Sequence, residues 1–213
     1  MFEFHFDDLP PVTLDIARAR ITLFAHVPPY EDRIDLNIAI DAVARDVTAP
    51  GEDGETHLIA PQLYTDYLSI PLTALRSGDA GLLDGWRMSY DPGDDASQDQ
   101  APGAIYQYMH DPFLRATMEL TSLGGADYRL RAEGETISGW RFRIDTPARL
   151  TSVEAKSGQL DGDLAPSPEV EDWYRRHFEP AVFAPGWQRR GNPATGWYVL
   201  AAEPKAPHPG AAP

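Results

Sequence analysis

The sequence predicts a mainly β protein: an antiparallel β-sandwich or a strongly bent sheet, with one C-terminal helix packed against it. Three observations predict it. Long stretches alternate apolar and polar residues, which is the period of a half-buried strand. The chain holds 17 Gly and 20 Pro in 213 residues, more than helices tolerate and suited to many turns. One N-terminal segment exchanges its buried parity partway along, which a continuous strand does only through a bulge or bend.

The elements follow in order. Phe2, Phe4 and Phe6 alternate with Glu3 and His5. Val12, Leu14 and Ile16 share one parity, and Ile21, Leu23 and Ala25 take the other. The exchange places a bulge around 17–20 and lets one strand serve two sheets. Ile34, Leu36, Ile38 and Ile40 form another strand, 46–55 a surface loop, and 72–76 a short helical turn. Trp86, Met88 and Tyr90 share a face. A polar insertion over 91–102 then interrupts the pattern, and 104–110 resumes it with Tyr106, Tyr108 and His110 together.

The strongest signal is a three-strand meander. Leu114, Ala116, Met118 and Leu120 point inward, then Tyr128, Leu130 and Ala132, then Trp140, Phe142 and Ile144. Asp111-Pro112 also reads as a helix start, but eight residues of unbroken alternation favour a strand. A turn centred on Gly124 sets Glu119 opposite Arg129 and Arg115 opposite Glu133. A second turn near 135–137 sets Arg131 near Arg141 and Arg129 near Arg143, two like-charge pairs that cost energy. Ser167-Pro168 starts a helix near 168–178, with acids in its first turn and Arg175-Arg176 toward its end. Residues 187–192 read as an exposed cationic loop and 196–201 as a closing strand. The expected domain is 1–202, with a disordered tail at 203–213.

Charge bounds the function. The net charge is −15, and residues 1–100 hold 19 acidic against 6 basic side chains. Phosphate-backbone binding is therefore not expected and nucleic acid is excluded as a partner, while the acidic first half is compatible with a basic partner protein or serves solubility alone. There is no cysteine, hence no disulfide, thiolate nucleophile or cysteine metal site. No signal peptide or apolar span is seen, which gives a cytoplasmic expectation with no membrane partner. No cofactor is implied.

Catalytic motifs are missing: no GxSxG elbow, no phosphate loop, no HExxH. No catalytic or metal residue is assigned. His26 with Glu31 and Asp32, and the loop from Asp91 to Asp99, offer oxygen and nitrogen ligands without a cation-binding spacing. Glu119 and Glu133 are formally a carboxylate pair, but arginines oppose both. The binding candidates are Trp86, Tyr106, Tyr108 and His110, for aromatic contact area, and Arg129, Arg131, Arg141 and Arg143, for charge. The expected function is a non-enzymatic protein-binding or inhibitory, immunity-like protein. The alternatives are an enzyme or carbohydrate-binding module with a β-sandwich cleft, which needs clustered aromatics and two convergent carboxylates or histidines in a concave site, and a structural assembly subunit, which needs a large apolar patch or an uncovered strand edge.

Overall fold

The computed structural model describes residues 1–6, 9–26, 33–50, 54–66, 68–71, 82–93, 101–156, 172, 183–184, 187–190 and 197–204. All sixteen elements among them are strands. In chain order they are β1 (Phe2–His5), β2 (Val12–Leu14), β3 (Ile16–His26), β4 (Arg33–Ala42), β5 (Arg45–Thr48), β6 (Thr56–Ile59), β7 (Gln62–Thr65) and β8 (Leu68–Pro71). There follow β9 (Arg87–Tyr90), β10 (Gly103–Gln107), β11 (Met109–Gly124), β12 (Asp127–Thr136), β13 (Arg141–Lys156), β14 (Phe183–Ala184), β15 (Trp187–Arg190) and β16 (Trp197–Pro204).

The sheet is closed rather than split into a sandwich. Its path runs β12-β11-β10-β7-β4-β3-β13, and β13 pairs back to β12. Closure removes the exposed edges that a flat sheet leaves. Neighbours are antiparallel except β3 and β13, which run parallel. Where β13 and the β2–β3 strand diverge, β1 fills the gap, antiparallel to both β13 and β2. The predicted bulge lies between Ile16 and Arg18, and it turns Ile21 and Leu23 into the core while Arg18 and Arg20 face solvent.

Two strands of the wall are interrupted. β7 and β8 pair with successive parts of β4, and β10 and β9 with successive parts of β11. β7 and β10 join into a ladder whose last rung is Asp66 N–H to Pro102 C=O, 2.9 Å. Above that rung β8 and β9 are not paired with each other among the described residues.

Phenylalanines fill the interior beside glycines. The rings of Phe113 and Phe142 lie 5.3 Å apart. A Cβ on Gly103 would meet Phe113 at 2.7 Å, and one on Gly134 would meet Phe142 at 2.7 Å. The glycines are thus what lets two large rings cross the barrel at native packing density.

Several expectations are corrected. Residues 111–123 are strand, as expected, but a bulge between Phe113 and Arg115 leaves Leu114 only half-buried, and the inward parity begins at Ala116. The 46–55 loop is shorter, since Asp46–Thr48 belong to the β5–β6 hairpin. Residues 104–110 are not one strand: the chain reverses at Tyr108, whose φ is 69°. Residues 187–190 are strand β15 rather than loop, because β16 pairs with them. The helical turn at 72–76 and the helix near 168–178, apart from Asp172, lie outside the described residues, as does most of the tail.

Candidate functional site

The sequence-predicted residues fall in three places. Trp86 is half-buried and packs against the core beside β9. The four arginines stand on the outer face of β12 and β13. Tyr106, Tyr108 and His110 form the tip of the β10–β11 hairpin.

The outer face of β9–β11–β12–β13–β1 is a lattice of cross-strand rows. One row is Arg87, Glu119, Arg131, Asp145. The next holds Thr117, Glu133, Arg143, Glu3, and the next Arg115, Glu135, Arg141, His5. Signs alternate at every charged step. The register that gives this differs by two residues from the sequence-based one at the first hairpin and removes both expected Arg–Arg pairs at the second. A two-residue slip keeps every side chain on its face, so alternation could not choose between registers. The charges choose at the second hairpin, where opposite pairs replace two like pairs, whereas at the first hairpin both registers pair opposite signs. Ion pairs follow: Arg87–Glu119 at 2.7 Å, Arg115–Glu135 at 2.5 Å and Arg149–Asp127 at 3.0 Å. Arg129 donates two 2.7 Å bonds to Asp145, with Arg131 at 3.6 Å. The Arg129 fork holds the Asp145 carboxyl below the usual carboxylate range, against a smaller opposing effect of burial.

Two open troughs run between these rows. One, of about 460 Å³, is lined by Glu3, His5, Thr117, Glu133, Arg141 and Arg143 among others. The second, of about 730 Å³, is lined by Arg87, Glu119, Arg131, Glu133, Arg143 and Asp145 among others. Neither presents one sign of charge. Arg141 and Arg143 make no ion pair within 4.0 Å among the described residues, yet Glu135 and Glu133 stand directly opposite them. Ser89 and His5 both line the first trough but occupy its outermost strands, four inter-strand steps or about 19 Å apart, so they form no nucleophile–base pair. A charged outer face over an apolar interior is also the inverse of a lipid-facing barrel. No helix among the described residues is long and apolar enough to cross a membrane, and none of their His, Asp and Glu side chains cluster to hold a metal.

The hairpin tip is built differently. Tyr108 is the one described non-glycine residue with positive φ, a conformation that needs support from its surroundings. Its hydroxyl donates to Leu58 C=O at 2.6 Å, and its ring packs edge-on to Phe6 at 5.8 Å. Beside it, buried Gln107 accepts from Ala60 N–H at 2.8 Å and donates to Leu58 C=O at 3.0 Å. Phe6 in turn lies 4.9 Å from Trp140. A chain of rings therefore anchors the turn to the core.

On the outer face of the same hairpin, Tyr106 and His110 are cross-strand partners with rings 4.9 Å apart. Tyr64 of β7 reaches over from the next strand, and its hydroxyl bonds His110 Nδ1. Burial raises the Tyr64 phenol above its ordinary value, with the Asp66 charge adding. Four large side chains remain exposed here: Leu58 (54%), Tyr106 (39%), Tyr108 (59%) and Met109 (58%). Sequence reasoning missed Tyr64, Leu58 and Met109. Tyr64 had a signal, since it is outward between two inward residues, Leu63 and Thr65. Met109 had none, because its exposure comes from the reversal at Tyr108.

Comparison with known proteins returned no match: no family model, no curated protein and no solved structure aligns with the chain.

Proposed function

We propose that this chain is a non-enzymatic protein-binding protein, inhibitory or immunity-like in type, and that the β10–β11 tip is its binding surface. The supporting observation is the tip itself. Four large exposed side chains gather there, Tyr106, Tyr108 and Met109 on the hairpin and Leu58 on β6, and three side-chain hydrogen bonds from Gln107 and Tyr108 to Leu58 and Ala60 hold the turn. Tyr and Met are enriched at interfaces, and a turn already fixed in shape loses little entropy on binding. The acidic net charge of −15 favours a basic partner and speeds encounter with it. The troughs offer a cleft reading less, because their charges already face opposite charges.

The test is capture of the partner from native host cells with the full tagged chain, followed by mass spectrometry. Wild type and Arg131→Ala should retain one stoichiometric protein, and the double variant Tyr106→Ala/Met109→Ala should lose it at least about tenfold, the scale of an interface anchor. Recovery of a small molecule alone, or of a partner indifferent to the tip, would reject this reading.

A further inference from the structure

We infer that the tip recognises an arginine side chain of a basic partner, seated against the Tyr64, Tyr106 and His110 rings with Asp66 at the rim. This rests on the protein-binding reading above and adds the chemistry of the contact. Three observations carry it.

The first is the ring cluster. Tyr64, Tyr106 and His110 come from three adjacent strands and meet over Ala104, a small buried residue that is the cross-strand partner of both Tyr64 and Pro112. The His110 ring stands 79° from Tyr64 and 58° from Tyr106, so the surface is angled rather than flat. Planar guanidinium groups stack on such aromatic faces better than ammonium groups do. Among the described residues, none of the chain's own cations is stacked on these rings.

The second is the local charge. Asp66 lies two residues beyond Tyr64 on the same outward parity and is exposed. Asp46 is exposed directly across from Leu58, whose carbonyl holds Tyr108. Neither makes an ion pair among the described residues. Arg18, on the row that leads through Asp41 and Gln62 to Tyr106, is bound to Asp41 at 2.6 Å.

The third is the contrast with the rest of the described surface. On the outer lattice each arginine faces a carboxylate of the same chain. Around the ring cluster, Asp66 beside Tyr64 and Asp46 across from Leu58 have no cation supplied by the described residues. Charge complementarity therefore selects an arginine-bearing partner over an apolar one.

The experiment is an NMR titration of the full chain with three probes: hexaarginine, hexalysine and a neutral peptide carrying leucine and phenylalanine. Hexaarginine should shift the Tyr106 and His110 ring signals, more weakly at high salt, and hexalysine should bind several-fold less well. Tyr106→Leu and Asp66→Asn should each weaken hexaarginine about two- to fivefold, while Tyr106→Phe, which keeps the ring, should bind like wild type. Core methyl signals show that each variant is folded. Equal binding of hexalysine, shifts confined to the outer lattice, or no shift at all would overturn the inference. If the neutral peptide moves the tip and hexaarginine does not, the arginine contact fails while the protein-binding reading stands. If the tip is silent to all three and the native capture also ignores it, both fail.

Discussion

The outer lattice and the hairpin tip are built from the same strand, β11, and they handle surface groups in opposite ways. On the lattice, outward Glu119 meets opposite charges on both neighbouring strands, Arg87 and Arg131. At Met109 and His110 the outward groups meet aromatic rings and solvent. The lattice satisfies itself and so determines strand register. The tip is held rigid from beneath and left unsatisfied above. The difference teaches where a fold commits its side chains to itself and where it keeps them for something else.

The largest expected effect lies beneath the lattice. Phe142 is buried against Gly134 and Phe113, so Phe142→Ala should cost about 3–5 kcal/mol in urea denaturation. A loss below about 1 kcal/mol would mean the barrel collapses around the void and the glycine–ring fit is not needed.

Next comes the charge order of the lattice. Arg131→Glu sets three carboxylates in one row, because Glu119 and Asp145 are its two cross-strand neighbours. It should destabilise by roughly 0.5–2 kcal/mol, two pair reversals. Salt near 1 M should shrink the difference, since the pairs are solvent-facing. No loss would show that the charges decorate the register rather than select it.

A smaller effect tests the Arg129 fork. Asp145 has a depressed carboxyl pKa in the folded state, so it stabilises the fold above the ordinary aspartate value and loses that contribution as pH falls through the lower, folded value. Asp145→Asn should therefore lower Tm at pH 7 and 5, and the gap from wild type should close below about pH 4. A gap that stays constant with pH would remove the ionic explanation.

The smallest effect belongs to the tip. Tyr106→Ala/Met109→Ala should change stability by no more than about 1 kcal/mol, because Met109 is mostly exposed and Tyr106 gives up chiefly its ring contact with His110. A larger loss would mark the tip as part of the core and weaken its claim as a binding surface.

Much of the fold was legible because strand alternation is a local signal. The meander, the parity exchange at Ile16–Arg18 and the interruption over 91–102 all came from it. Barrel closure was not legible, since the parallel pairing of β3 with β13 joins residues more than a hundred positions apart. The register was partly legible. Like-charge pairs in the assumed second hairpin were a warning, and sliding the turn until signs alternated would have found the observed one. For the site, Tyr106 and His110 were correctly placed on one face, but as partners across a reversal rather than neighbours on a strand. Nothing local announces positive φ at Tyr108, because tertiary bonds to Leu58 and Phe6 hold it.

The most direct test of the central claim is site-specific photo-crosslinking of the full chain in native host extract. A benzophenone side chain would replace Tyr106 at the tip in one sample and exposed Thr117 in the lattice in another. One discrete protein adduct is expected from position 106 and none from 117. An adduct from 117 alone would place the binding surface on the charged lattice and contradict the central claim.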